Sequence, residues 1–182
     1  MDIILIIDNS ILDFIQQHIV CEPLNKVMVF ITELGTGARL WILIGLILLL
    51  IKKYRKYGIV IFVSVILSHF IGNVAIKHIV KRARPCQVNT AIDLIVNRPK
   101  SYSFPSGHTF TSFAPATVLF LMNKKIGIPA LIIAALIGFS RMYLYVHNPY
   151  DVLCGAILGI LVGVILTKLS KKYFLYKGWV NL

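Results

Sequence analysis

Four stretches of this 182-residue chain are apolar over lengths that suit a lipid bilayer: residues 58–80, 110–122 with an extension back towards Pro105, 126–146, and 151–169. A helix needs about 20 mostly apolar residues to cross the hydrocarbon layer. Inside that layer every backbone N–H and C=O must be satisfied within the protein, which leaves helices as the natural solution for separate runs of this length. A fifth run, 40–51, is intensely apolar but short, and it reaches bilayer length only by extending back through Thr36 or further. The expected fold class is therefore all-α, a polytopic transmembrane helix bundle of five or six spans. The uncertain span lies in the first 35 residues. MDIILIIDNSILDFIQQHIV has apolar residues at helical spacing, interrupted by Asp8, Asp13, Gln16, Gln17 and His18. It reads as an amphipathic helix lying in the membrane interface, broken at Pro23. Residues 25–34 either begin a sixth span or lie along the surface. There is no internal repeat and no linker, so residues 1–182 are expected to form one domain, with 1–35 as its interfacial segment.

Composition agrees with a membrane protein. Hydrophobic residues make up 58% of the chain, charged residues only 14%, and the mean hydropathy is +0.82. Soluble domains carry about a quarter charged residues. The formal net charge of +12 calls for an anionic partner, whether lipid headgroup, phosphate or nucleic acid. Nucleic acid fits poorly, because the runs between the basic clusters are bilayer-length. Acids are scarce: Asp2, Asp8, Asp13, Glu22, Glu33, Asp93 and Asp151, with only two beyond residue 34. Hard-metal sites are built from carboxylates and other oxygens, and no cluster of them is available here; no metal is expected, and no cofactor is expected either. Cys21, Cys86 and Cys154 show no CxxC spacing and read as free thiols. The N-terminus opens with an acid and lacks a basic leading region, unlike a cleaved signal peptide.

Lys and Arg in short loops set orientation. Lys52, Lys53, Arg55, Lys56, Lys124, Lys125, Lys168, Lys171, Lys172 and Lys177 fall on one side by span count, which is expected to be the cytoplasm. Tyr54, Tyr57, Tyr173, Tyr176 and Trp179 suit the same interface. Six further cations, Lys77, Lys81, Arg82, Arg84, Arg98 and Lys100, crowd one outer loop and run against the positive-inside rule. Something negative is expected there. The last span has Gly155, Gly159 and Gly163 at intervals of four, a face for close helix packing.

Three constellations lie on that outer side. The first is Lys77, six residues, then Arg84-Pro85. A rigid guanidinium fork and a mobile ammonium together can hold a tetrahedral phosphate. Alone, the pair reads no further than a basic loop meeting anionic headgroups. The second is Ser103-Phe104-Pro105-Ser106-Gly107-His108 at the start of a span. The free N–H groups of a first helical turn favour an anion, Gly107 lets a ligand approach the backbone, and Ser106 adds a hydroxyl donor. His108 can move a proton near neutral pH. An ordinary helix start is the plainer alternative, but a histidine directly after a Pro-Ser-Gly turn at a membrane surface favours function. The third is SRMYLYVHNPYD, residues 140–151, with Arg141 at a span end and His147 and Asp151 flanking the next turn. Asp151 in a first helical turn is favourable to the helix dipole in its own right. Paired with His147, it fixes the imidazole tautomer and frees the other nitrogen to attack.

Together the three sets resemble the signature of the type 2 phosphatidic acid phosphatase superfamily, which also includes glucose 6-phosphatase and the vanadium haloperoxidases. Every signature position between Lys77 and Asp151 is present and in order. By that resemblance His147 is the nucleophile that forms a phosphohistidine, Asp151 orients it, and His108 is the general acid and then base. Lys77, Arg84, Ser106, the Gly107 N–H and Arg141 hold the phosphate oxygens, with no metal. Lys81 and Arg82 lie outside the signature; a lipid headgroup, a second phosphate and the membrane surface stand level as their partners. The resemblance implies a phosphatase of membrane lipids in the cytoplasmic membrane with its site facing outward. Undecaprenyl diphosphate is the first substrate expected, with phosphatidylglycerol phosphate, phosphatidic acid and lipid A as alternatives. A transporter or binding protein for anionic lipids is the rival from another class, and it has no need of His108, His147 and Asp151 together.

Overall fold

The structure is a computed structural model, and it describes residues 3–172. Tyr173, Tyr176, Lys177 and Trp179, expected at the cytoplasmic interface, lie outside the described residues. In chain order the helices are α1 (Ile3–His18), α2 (Glu22–Gly35), α3 (Arg39–Leu50), α4 (Arg55–His69), α5 (Lys77–Val80), α6 (Pro85–Val88), α7 (Gly107–Met122), α8 (Lys124–Tyr143) and α9 (Pro149–Ser170). A π-helical segment, Phe70–Ile76, joins α4 to α5, so the chain runs helically from Arg55 to Val80. No strand occurs among the described residues.

Four helical stretches are long and apolar enough to cross a membrane: Glu22–Leu50, Arg55–Val88, Lys124–Tyr143 and Pro149–Ser170. The protein is a multi-pass membrane protein, but the expected five or six spans are not reached on length. Two local features explain the difference. The helix expected to extend back towards Pro105 begins only at Gly107, because Pro105 and Ser106 are committed to a turn. At 16 residues, α7 is about 24 Å long. The stretch Glu22–Leu50 is broken where Gly37 (φ 60°) and Ala38 (φ 56°) adopt left-handed backbone, so the run 40–51 gains its length from α2 only across a kink.

The bundle is organised around α7, which packs most extensively on α9, α8 and α4. The glycine stripe of α9 lies flat on it. A Cβ added at Gly159 would stand 2.6 Å from Phe113 Cβ and 2.9 Å from Phe110 O. One added at Gly163 would stand 2.6 Å from Ala114 O. Trp41 of α3, fully buried, donates its indole N–H to Ser112 Oγ at 3.0 Å and ties α3 to α7. Large apolar side chains such as Leu46, Ile66, Ile132, Leu161 and Ile165 point outward, as lipid-facing helix surfaces do.

The N-terminal segment is a helix, as expected, but it does more than lie in the interface. α1 contacts α8 and α9, and its buried face is Asp8, Leu12 and Ile15. Leu12 and Ile15 pack with Met28, Cys86 and the 143–146 turn. Ile3, Ile7 and Phe14 stay exposed on the far face.

Candidate active site

Three segments meet at one end of the bundle: the 77–85 turn, the 103–108 turn leading into α7, and the 144–151 turn leading into α9. Each is anchored by backbone bonds to another. Ser103 N–H donates to Arg82 O at 2.8 Å, and Ser106 N–H donates to Asp151 O at 3.0 Å. Arg84 does the remaining stitching. Its Nε and Nη2 donate to Ser101 and to Tyr102 O, and its Nη1 donates to Val146 O at 2.7 Å and to His147 Nε2 at 2.9 Å. Lys81 and Tyr145, inside two of these turns, and Ala38, in the α2–α3 kink, are non-glycine residues with left-handed backbone. Such conformations cost about 1–3 kcal/mol each and persist where the surroundings over-determine them.

Six of the eight expected site residues, Lys77, Arg84, Gly107, His108, Arg141 and His147, line one cavity of about 900 Å³. Ser106 and Asp151, both fully buried, stand behind it. The cavity wall continues from the cations to Val65, Ile66 and Phe70, so a polar end passes into an apolar one. Gly107 lies against the Asn73 side chain: a Cβ there would stand 2.5 Å from Asn73 Oδ1 and would push that amide aside. His108 reaches across to the α2–α3 kink, with Nε2 3.2 Å from Thr36 Oγ1. Arg141 donates from Nη1 to Thr32 Oγ1 at 2.5 Å, and its Nε is buried with no partner. An orphaned charged donor in a cavity wall is a place for an anion.

His147 is 1% exposed. Arg84 donates to Nε2, so that nitrogen holds the lone pair and Nδ1 holds the proton. Nδ1 lies 3.6 Å from Asp151 Oδ2, too far for a hydrogen bond. Ser103 Oγ stands between, 3.4 Å from Nδ1 and 2.5 Å from Oδ2. The contact runs from His147 through the Ser103 hydroxyl to the carboxylate, which also accepts the Asn148 N–H at 3.0 Å. Burial, with Arg84 and Arg141 adding to it, lowers the His147 pKa to about 3 against the opposing pull of Asp151. The imidazole is therefore neutral at ordinary pH.

Several of these groups were not evident from the sequence. Thr32 and Thr36 sit outside the positions singled out as functional, and Ser103 opens the second constellation without a role of its own there; ordinary hydroxyl residues give no signal of their own. Arg82 departs from the expectation of a headgroup, second phosphate or membrane-surface contact. It turns inward, donating from Nη1 to Asp151 Oδ1 at 2.7 Å and from Nη2 to Asp8 Oδ2 at 2.5 Å.

The profile of the PAP2 superfamily, the type 2 phosphatidic acid phosphatases, matches residues 54–174. An undecaprenyl-diphosphatase of Sulfolobus acidocaldarius is 35% identical over 75% of this chain, which spans 66% of that relative's length. The undecaprenyl-diphosphatase BcrC of Bacillus subtilis is 33% identical over 81% of this chain and 75% of its own. The crystal structure of a transmembrane PAP2-type phosphatidylglycerolphosphate phosphatase from Bacillus subtilis superposes with a TM-score of 0.80 at 27% identity, covering 95% of this chain and 89% of that one. With the profile matched over 54–174 and all three motifs inside or beside one cavity, the chain belongs to the PAP2 superfamily.

Proposed function

We propose that this protein is a membrane lipid phosphatase that works through a phosphohistidine on His147. One observation carries the reading. A buried, neutral imidazole, with its proton held on the Ser103–Asp151 side, presents its lone pair to a cavity that is cationic at one end and apolar at the other. Lys77, Arg84 and Arg141, with the Ser106 hydroxyl and the Gly107 N–H, hold the phosphate oxygens, where charge gathers in phosphoryl transfer. The Arg84 N–H now on His147 Nε2 moves to a phosphate oxygen, which brings phosphorus against that nitrogen.

The steps balance. Nε2 attacks phosphorus and the bond from phosphorus to the leaving oxygen breaks; His108, whose pKa burial and the nearby cations hold down, takes up a proton once the phosphate offsets those cations and gives it to that oxygen. Water then attacks the phosphohistidine, His108 takes the water proton, and inorganic phosphate leaves with Nε2 restored. The imidazole bears positive charge only while phosphorylated, and Asp151 stabilises that charge through Ser103.

The substrate is a lipid whose tail stays among Val65, Ile66, Phe70 and the surrounding bilayer, which spares moving an apolar chain into water. Undecaprenyl diphosphate is the first choice, supported by the two undecaprenyl-diphosphatase relatives. Phosphatidylglycerol phosphate is the second, supported by the fold of the Bacillus subtilis phosphatase. The protein sits in the cytoplasmic membrane, with basic residues of the 51–56 and 123–125 turns in the cytoplasm and the site on the outer side. Residues 77–151 form the catalytic part of a single domain. An anionic-lipid carrier has no use for a nucleophile held by a serine and a carboxylate.

Phosphate release by purified protein in detergent with EDTA tests the reading. Undecaprenyl diphosphate, phosphatidylglycerol phosphate and phosphatidic acid are offered side by side, with His147→Ala in parallel. Turnover of one lipid in EDTA by the native chain alone is the expected result. Equal inactivity of the folded native and variant proteins on all three lipids defeats it.

A further inference from the structure

We propose that Asp8, on α1, is a positioning residue for His147 and Asp151, acting through Arg82. This rests on the phosphatase reading above. Arg82 is shared between two carboxylates: Nη1 is 2.7 Å from Asp151 Oδ1 and Nη2 is 2.5 Å from Asp8 Oδ2. Both acids are withdrawn from solvent, Asp8 at 2% exposure and Asp151 at 0%. The second oxygen of Asp8 accepts the Tyr150 N–H at 2.9 Å. Asp8 thus touches both the guanidinium that holds Asp151 and the residue that precedes Asp151 in the first turn of α9.

The reason is a balance of charge. A lone guanidinium on Asp151 would neutralise the carboxylate that must stabilise a positively charged phosphohistidine. Charge pairs out of water interact strongly enough for that to matter. Asp8 takes up the Arg82 charge from the other side, so the Asp8–Arg82–Asp151 cluster keeps one net negative charge facing His147. It also fixes the guanidinium plane, and with it the Asp151 Oδ1 contact. Oδ2 is then left to Ser103 and the Asn148 N–H. Asp8 lies outside residues 54–174, the part matched by the superfamily profile. It arrives on a helix that the three motifs do not include.

A bare docking role for α1 predicts a different pattern, and a double-mutant cycle separates the two. Asp8→Asn keeps the shape of the side chain and removes its charge; Arg82→Gln removes the charge that Asp8 balances. kcat and KM for undecaprenyl diphosphate in detergent are measured for native protein, each single variant and the double variant, with thermal unfolding alongside. Asp8→Asn is expected to lower kcat about tenfold with KM within about twofold, the sign of an interaction made in the transition state. In the Arg82→Gln background the same substitution is expected to change kcat by less than about twofold. Leu12→Ala, on the same buried face of α1, loosens docking without touching charge, and is expected to lower the unfolding temperature while leaving kcat within about threefold. If Asp8→Asn leaves kcat within twofold of native, or lowers it by the same factor in both backgrounds, the inference is overturned while the phosphatase reading stands. If the native protein turns over no lipid at all, both fall.

Discussion

Replacing Ser103 by Ala removes a hydroxyl that stands behind the cavity wall, between His147 and Asp151. His147 Nδ1 and Asp151 Oδ2 are 3.6 Å apart, a gap that the Ser103 hydroxyl spans with contacts of 3.4 and 2.5 Å. Hydrogen bonds to a charged group contribute about 1.5–3 kcal/mol. If that stabilisation is felt when the imidazole becomes charged, its loss lowers kcat by about 10–150-fold, since each 1.36 kcal/mol is a factor of ten. KM is expected to stay within about threefold, because Ser103 does not line the cavity that receives the lipid. Steady-state phosphate release gives both constants, and a rapid-quench measurement of phosphorylated enzyme shows whether the first step is the slowed one. Ser103→Thr, which keeps the hydroxyl, is expected to recover most of the rate. A Ser103→Ala protein with kcat within twofold of native refutes the relay and leaves Asp151 acting on His147 directly.

Three more results are expected. The His147 pKa is depressed to about 3, below its value of about 6.5 in an unfolded chain, so the unfolded state binds the extra proton and stability is lost as pH falls from about 6.5 towards 3. Between pH 6.5 and 5 the loss is about 2 kcal/mol, and thermal unfolding of His147→Gln over the same range should show a correspondingly flatter profile. Gly159→Ala places a Cβ 2.6 Å from Phe113 Cβ and is expected to cost about 1–3 kcal/mol in detergent unfolding. The lipid-facing Leu161→Ala should cost less than about 0.5 kcal/mol. Lys77→Met removes a buried cation, so it is expected to raise the unfolding temperature of the unliganded protein while abolishing the stabilisation by orthovanadate, about 2.7 kcal/mol at a hundred times Kd in the native chain.

The helices were legible in the sequence because each had to close its own backbone bonds in lipid, and apolar runs of that length have few other solutions. The span count was not, for two reasons visible at particular residues. Gly37 and Ala38 break a stretch that hydropathy reads as continuous. Pro105 and Ser106 hold α7 back to Gly107, shortening an apolar run below bilayer length. The docking of α1 was also hidden. Amphipathic spacing describes a helix in an interface and a helix packed on a bundle equally well. The discriminating signal was Asp8 itself. An acid with isoleucine at positions 6, 7 and 11 around it is costly beside a membrane unless it has a partner, and its partner is 74 residues away.

The site was legible wherever chemistry is tied to spacing along the chain, and obscure wherever it depends on charge balance across it. Four cations fall within IKHIVKRARP, and by sequence they look alike. In the fold they divide. Among the described residues the ion pairs join Arg39 to Glu33, Arg82 to Asp8 and Asp151, and His147 to Asp151. Lys77 and Arg84, at 5% and 3% exposure, take part in none of them, and nor does the buried Arg141. A buried cation without a counter-charge is destabilising unless an anion arrives to match it. Asp8 and Asp151 are both set on Arg82, the one cation that would otherwise drain the charge of the carboxylate behind His147. The three that face the cavity are left unmatched. That division suits the proposed phosphate site: strong attraction where the substrate would bind, and a net negative charge behind the imidazole proposed to attack it.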